Sequence, residues 1–168
     1  MAHRVFVVGS YNQDHAWTCT RLPQPGETLT GRYRGGPGGK GFNQAVAAAR
    51  SGASTCFIGA LGEDAAAGTA FELAARFGID MRVQRLAEVP TGTAAILVDD
   101  AGRNQIVVAP GANALLTREW VEAALADLGA GDVVLAQLEV APDAVQAALE
   151  LARLRGARTL LNPAPADV

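Results

Sequence analysis

Apolar and polar positions alternate along this chain in a way that separates strands from helices. Val5 to Val8 is a continuous apolar run closed by Gly9-Ser10-Tyr11-Asn12, which predicts a buried strand ending in a loop. The first helix is predicted only near Lys40, with Phe42, Val46 and Ala49-Arg50 on a helical period and Gly52 as its stop. Between them lie two extended stretches, Ala16 to Leu22 and Thr28 to Arg34, joined through Pro23-Gln24-Pro25-Gly26. Strand and helix then alternate: strand at Thr55 to Ala60, helix at Ala66 to Phe77 with Gly78 as its stop, strand at Met81 to Leu86.

A second excursion follows, where Thr91 to Val98 and Gln105 to Ala109 flank the turn Asp99-Asp100-Ala101-Gly102 and predict a hairpin. Thr117 caps a further helix with an acidic first turn, predicted to end near Leu128-Gly129. Val133 to Leu138 reads as strand, Pro142 to Arg155 as helix stopped by Gly156, and Arg158 to Leu161 as a final strand. Strands alternating with helices imply an α/β fold: a parallel sheet with right-handed crossovers and helices on both faces. The excursions do not fit that rhythm. Their strands, such as Ala94 to Val98 and Ile106 to Val108, are apolar on both faces, which suits a cover for a ligand cleft or a contact with another subunit.

Composition narrows the function classes. The 168 residues carry 14 basic and 17 acidic side chains, a net charge of −3, with 18% charged residues; binding to nucleic acid or to a membrane surface through bulk charge is therefore not expected. No apolar run approaches the about 20 residues of a spanning helix, and Val5 to Val8 is too short for a secretory signal. Cys19 and Cys56 match no metal or redox spacing, which predicts buried thiols in a reducing cytoplasm, and neither His3 nor His15 has a companion ligand nearby.

The chemistry concentrates in Gly35-Gly36-Pro37-Gly38-Gly39-Lys40-Gly41-Phe42-Asn43. Glycines let backbone approach a ligand, and the first turn of a helix presents unpaired amides to oxygen-rich groups. Lys40 and Asn43 share a helix face, and Lys40 is the only lysine against thirteen arginines. Gly36, Gly38 and Gly41 satisfy a dinucleotide pattern with Glu63 in the place of its ribose acid, but they do not follow the first strand; a Walker A loop fails because Gly41 follows Lys40. Asn12-Gln13-Asp14 lies past the carboxyl end of the first strand, where ligands of parallel α/β sheets collect, and reads either as a chelate for sugar hydroxyls or as an Asx-type turn. Glu139 and Asn162 follow two further strands in the same way, favouring one shared cleft.

Gly9-Ser10-Tyr11-Asn12-Gln13-Asp14, Pro25-Gly26-Glu27-Thr28, Gly38 to Ala45, Gly111-Ala112-Asn113, Gln137-Leu138-Glu139 and Asn162-Pro163-Ala164-Pro165 occur in the order and spacing of the ribokinase-like sugar kinases, the PfkB family, which the chain thus resembles over nearly its whole length. The resemblance implies a kinase core at about 1–10, 38–86 and 115–168, and a lid at about 14–37 and 90–112 that also makes a homodimer contact. It implies that Asn12, Asp14, Gly39, Lys40, Gly41 and Asn43 hold a sugar, with Glu139 reaching it from the opposite wall. Phe42 departs from the small residue usual in ribokinase, which leaves ribose, another sugar or a nucleoside open as substrate. Family members are about twice this long. Their remainder carries the ATP and Mg site and a second signature, Asp-Thr-x-Gly-Ala-Gly-Asp, whose last aspartate is the catalytic base. Gly129-Ala130-Gly131-Asp132 is not that signature, because a strand follows it rather than a helix. The expectation is the sugar-binding and lid half of an ATP-dependent carbohydrate kinase, inactive alone, with a silent sugar-binding or dimerising module and a dinucleotide-binding domain as alternatives.

Overall fold

In the computed structural model, which describes residues 3–165, the chain runs β1 (Arg4–Val8), β2 (Asn12–Cys19), β3 (Arg32–Gly38), α1 (Lys40–Arg50), β4 (Ser54–Gly62), α2 (Ala65–Phe77) and β5 (Asp80–Leu86). It continues through β6 (Gly92–Asp99), β7 (Asn104–Ala109), a 3-10 turn (Gly111–Leu115), α3 (Arg118–Ala124), β8 (Val133–Gln137), α4 (Pro142–Leu154) and β9 (Arg158–Asn162). Five strands form a parallel sheet in the order β5-β4-β1-β8-β9.

Alternation along β1 splits the core in two. Phe6 and Val8 face a cluster with Val121 and Leu125 near α3 and Ala144, Val145 and Ala148 of α4, whereas Val7 faces Phe42 and Ala45 of α1 and Ala67, Ala70 and Ala74 of α2. Both faces of the sheet are thus covered by helices at β1, as the continuous apolar run at Val5 to Val8 requires, whereas Leu160 and Leu161 of edge strand β9 stay exposed. Asp64 caps α2 by accepting from Ala67 N at 3.0 Å, and Gly78 ends it in the left-handed region at φ 64°.

The two excursions make a second sheet, ordered β3-β2-β6-β7, with β2 and β6 parallel and the outer pairs antiparallel. Among the described residues it has no second layer. Tyr33 is 57% exposed, Ile106 52% and Val107 73%. His15, Trp17 and Tyr33 stack on one face, with centroids 5.2 Å apart for Trp17 and Tyr33.

Several boundaries differ from the pattern reading. β2 begins at Asn12 rather than Ala16, and β3 covers Arg32–Gly38 rather than Thr28 to Arg34. The polar Asn12-Gln13-Asp14 and the glycine run do not look like strand, yet Asn12 pairs with Gly38 and Asp14 with Gly36; at the sheet edge Pro37 is tolerated. Asp14 therefore lies in a strand, and the Asx-turn reading falls. α3 stops at Ala124, where short turn hydrogen bonds carry the chain on to the still buried Leu125 and Leu128.

Gly129 to Asp132 is a turn with Gly131 at φ 90°, and Asp132 belongs to an ion cluster at the amino end of the sheet. Its carboxylate accepts from Arg4 N at 2.9 Å, Gly129 N at 3.0 Å and Arg4 Nη2 at 3.1 Å, while Asp127 bridges Arg4 and Arg82, both at 2.6 Å. Burial tends to raise the Asp132 pKa, but the hydrogen bonds from Arg4 N, Gly129 N and the Arg4 side chain leave it lowered. The Arg82 guanidinium, with Arg4, holds Asp127 well below the carboxylate range. Depressed folded-state values mean that this stabilisation is full above the unfolded value of about 3.9 and is lost as pH falls through the folded values. Asp132→Ala is expected to cost about 1–3 kcal/mol in urea unfolding at pH 7, with the gap to the parent narrowing below about pH 4.

Candidate functional site

Chain order reverses beside β1: the strands after the first excursion lie on one side, β8 and β9 on the other. Such a switch point opens a crevice outside the carboxyl ends of the two central strands. Here it lies between Gly9-Ser10 after β1 and Leu138-Glu139 after β8. α1 starts in this crevice. Phe42 N donates to Ser10 O at 2.9 Å, and a Cβ on Gly41 would sit 2.6 Å from Ser10 N, so only glycine allows so close an approach. Gly39, the residue before α1, has φ 87°, and a side chain there would press on Ser10 O and Asn12 N.

Glu139 is held by three donors: Lys40 Nζ at 2.5 Å, Lys40 N at 2.9 Å and Ser10 Oγ at 2.6 Å. Burial alone would raise its pKa, but those hydrogen bonds and the Lys40 charge leave it lowered. Ser10 Oγ in turn accepts from Gly41 N at 3.4 Å. The first amides of α1 are therefore occupied by protein groups, which corrects the expectation that Gly41 and its neighbours present free amides to a ligand. Lys40 keeps a side chain 39% exposed and can turn its remaining protons outward.

Asp14 approaches the start of α1 from β2 of the second sheet. Its carboxylate lies where a Cβ on Gly38 would be, and burial first, then the charge of Glu139, raises its pKa. Its side chain makes no hydrogen bond among the described residues, so a half-buried acceptor stands bare beside the start of α1. Asn12 is buried and receives a hydrogen bond on Oδ1 from Asn113 Nδ2 at 2.9 Å. Asn43 lies one turn along α1 from Lys40, exposed and without a side-chain partner among the described residues. Asn162 is the last residue of β9, paired with Gln137, and its carbonyl accepts from Ala164 N; its side chain joins none of these contacts. One concavity of about 460 Å³ is lined by Asp14, Arg34, Pro37 and Ile96, and another of about 270 Å³ by Asn12, Asn113, Glu139, Val108 and Pro110. Asp14, on the second sheet, and Glu139, on the first, thus line different concavities, with Glu139 near enough for its charge to act on Asp14 and with Lys40 paired to Glu139.

With the α1 amides already taken by Glu139 and Ser10, the start of this helix offers no cluster of free amides to a polyphosphate, while the bare Asp14 carboxylate suits hydroxyls. The residues described do not fit ATP, and among them no group of three or more His, Cys, Asp or Glu side chains is placed to hold a metal ion. Gly36 and Gly38 lie in β3, not in a strand-to-helix turn, so the dinucleotide alternative fails as well. Asp132 is separated from Glu139 by the length of β8, about 17 Å of strand.

Sequence reasoning assigned no role to Ser10 or Asn113. Both stand within the motifs that carry the resemblance, but neither motif says what the side chain bonds to, and the burial of Asn113, 1% exposed, is not displayed by the sequence.

Residues 2–168 match the family described as pfkB family carbohydrate kinase. The ribokinase of Haemophilus influenzae is 40% identical over 100% of this chain and 56% of its own length, and that of Staphylococcus aureus 42% identical over 99% and 56%. Giardia lamblia ribokinase superposes with a TM-score of 0.88 at 31% identity, covering 98% of this chain and 52% of that one. Arabidopsis thaliana ribokinase, solved with ribose and ATP, gives 0.77 at 29% identity over 98% and 54%. The chain spans about half the length of the curated relatives it matches. Because the match runs from residue 2 to residue 168 and takes in both sheets, the chain belongs to the pfkB family of carbohydrate kinases.

Proposed function

We propose that this chain supplies the sugar-binding and lid portion of an ATP-dependent carbohydrate kinase that phosphorylates a hydroxyl of ribose or a closely similar sugar. The observation that carries the reading is the bare Asp14 carboxylate, near enough to feel the charge of Glu139, which Lys40 holds at the switch point. An ionised carboxylate offers acceptor sites to two neighbouring hydroxyls, while Lys40 and Asn43 supply donors from α1. Glu139, fixed by three donors, orients Lys40 and retains lone pairs for a hydroxyl on the far wall. A polyol clamped at several points presents one hydroxyl in a fixed direction, which is the main service a phosphoryl-transfer enzyme gives its acceptor. The ribose and ATP held by the Arabidopsis relative support the substrate class. ATP, Mg and the base belong, in this reading, to parts of the enzyme outside the residues described.

The second sheet is read as the lid, closing over the crevice and excluding water. Its exposed apolar side chains, Tyr33, Ile106 and Val107, support a homodimer formed lid to lid, since an uncovered apolar patch is costly in water. Cys56, whose thiol burial pushes up to about 12, and the unpaired Cys19 suit a reducing, cytoplasmic setting.

Titration calorimetry with ribose tests the sugar reading. Asp14→Asn is expected to weaken binding at least tenfold, about 1.4 kcal/mol or more, without loss of stability. The sign follows from the raised folded-state pKa: ionised Asp14 is disfavoured by folding, so at pH 7 the parent carries a cost that asparagine removes. Undiminished affinity in Asp14→Asn contradicts the assignment. For the lid contact, Val107→Glu is expected to convert a dimer to monomer by light scattering; a dimer that survives it, or a parent that is monomeric, contradicts the lid-to-lid arrangement.

A further inference from the structure

The Gly111-Ala112-Asn113 segment, which the sugar contacts leave unused, fixes the polarity of Asn12. Asn113 Oδ1 accepts from Tyr11 N at 3.1 Å, and its Nδ2 donates to Tyr11 O at 2.9 Å. A backbone N–H only donates and a carbonyl only accepts, so these two bonds settle which end of the Asn113 amide is which. The second proton of Asn113 Nδ2 goes to the Asn12 side chain at 2.9 Å, and that contact must be Oδ1. Asn12 Nδ2 is then left with no partner among the described residues, on a side chain lining the 270 Å³ concavity with Glu139. The space for the Asn12–Asn113 bond is kept by Gly92, where a Cβ would overlap both Asn113 Nδ2 and Asn12 Oδ1.

The geometry points to Asn113 as a positioning residue that, through Asn12, makes this corner of the crevice a donor, so that it selects a ligand oxygen able to accept. This rests on the sugar-binding reading for the ligand, but the relay is a property of the chain itself. The information runs from the backbone of Tyr11 to Asn113 to Asn12, and it joins the point where the chain leaves β1 for the second sheet to the turn by which it returns after β7.

Asn113→Asp keeps an acceptor for Tyr11 N and removes the donor to Asn12. At pH 8, with the new carboxyl ionised, the Asn12 amide is expected to rotate and donate into the introduced carboxylate, turning its oxygen toward the crevice. In 15N-labelled protein the Asn12 side-chain NH2 pair, assigned by its loss in Asn12→Asp, should exchange with water at least tenfold more slowly in Asn113→Asp than in the parent, and ribose affinity should fall at least tenfold. Gly92→Ala, which leaves both amides in place and wedges their bond apart, should broaden or split the same NH2 signals. Unchanged exchange of that pair in both variants overturns the relay. If the parent does not bind ribose, the sugar reading fails while the exchange comparison still decides the relay; if ribose binds the parent and Asn113→Asp equally, the relay to the ligand is wrong and the sugar reading stands.

Discussion

The carboxylate of Glu139 is the contact on which the crevice depends. It follows a buried central strand, and burial of a charge there is tolerable only because Lys40 Nζ, Lys40 N and Ser10 Oγ surround it. Those same bonds set the start of α1 against the end of β1, with Gly39 and Gly41 admitting the close approach. Without Glu139 the first turn of α1 would face the crevice with open amides and a free ammonium, an anion site. With it, those amides are spent and the turn offers only the remaining Lys40 protons and Asn43 beside the bare acceptor of Asp14, so the preference moves from phosphate to polyol.

Two kinds of order meet at this point. The five-stranded sheet is packed on both faces around β1 by alanine-rich helices whose small side chains allow close layers, while its edge strand β9 leaves Leu160 and Leu161 exposed. The second sheet is a single layer joined to the core by crossings near Asn12, Gly38, Gly92 and Ala109. Asp64 pins one of these by accepting from Thr91 N and Thr91 Oγ1, both at 2.8 Å, and Asn113 joins two others. Asp14 thus rides on the single-layer sheet and Glu139 on the packed one.

The parallel sheet was legible because Val5 to Val8, Thr55 to Ala60 and Val133 to Leu138 are apolar runs punctuated by glycine, and caps such as Thr117 and stops such as Gly78 have local causes. The ends of β2 and β3 were not, because Asn12 to Asp14 become strand by pairing with β6 on one side and β3 on the other, and Gly35 to Gly38 by pairing with β2 at the sheet edge. Among site residues, Asp14 and Glu139 could be found as polar groups after predicted strand ends, where α/β sheets gather ligands, and Lys40 as the lone lysine in a glycine run opening a helix. That the α1 amides are spent on Glu139 and Ser10 is a tertiary fact with no local sequence mark, and so is the chain of bonds through Asn113.

The most direct measurement is a carbon-detected pH titration of the Asp14 and Glu139 carboxyl groups in the ligand-free protein. Burial beside a second carboxylate should move Asp14 above the ordinary aspartate value, while the bonds from Lys40 and Ser10 should move Glu139 below the ordinary glutamate value. Both groups titrating at their ordinary values, or shifting in the same direction, would contradict the placing of a bare acceptor near a donor-clamped one.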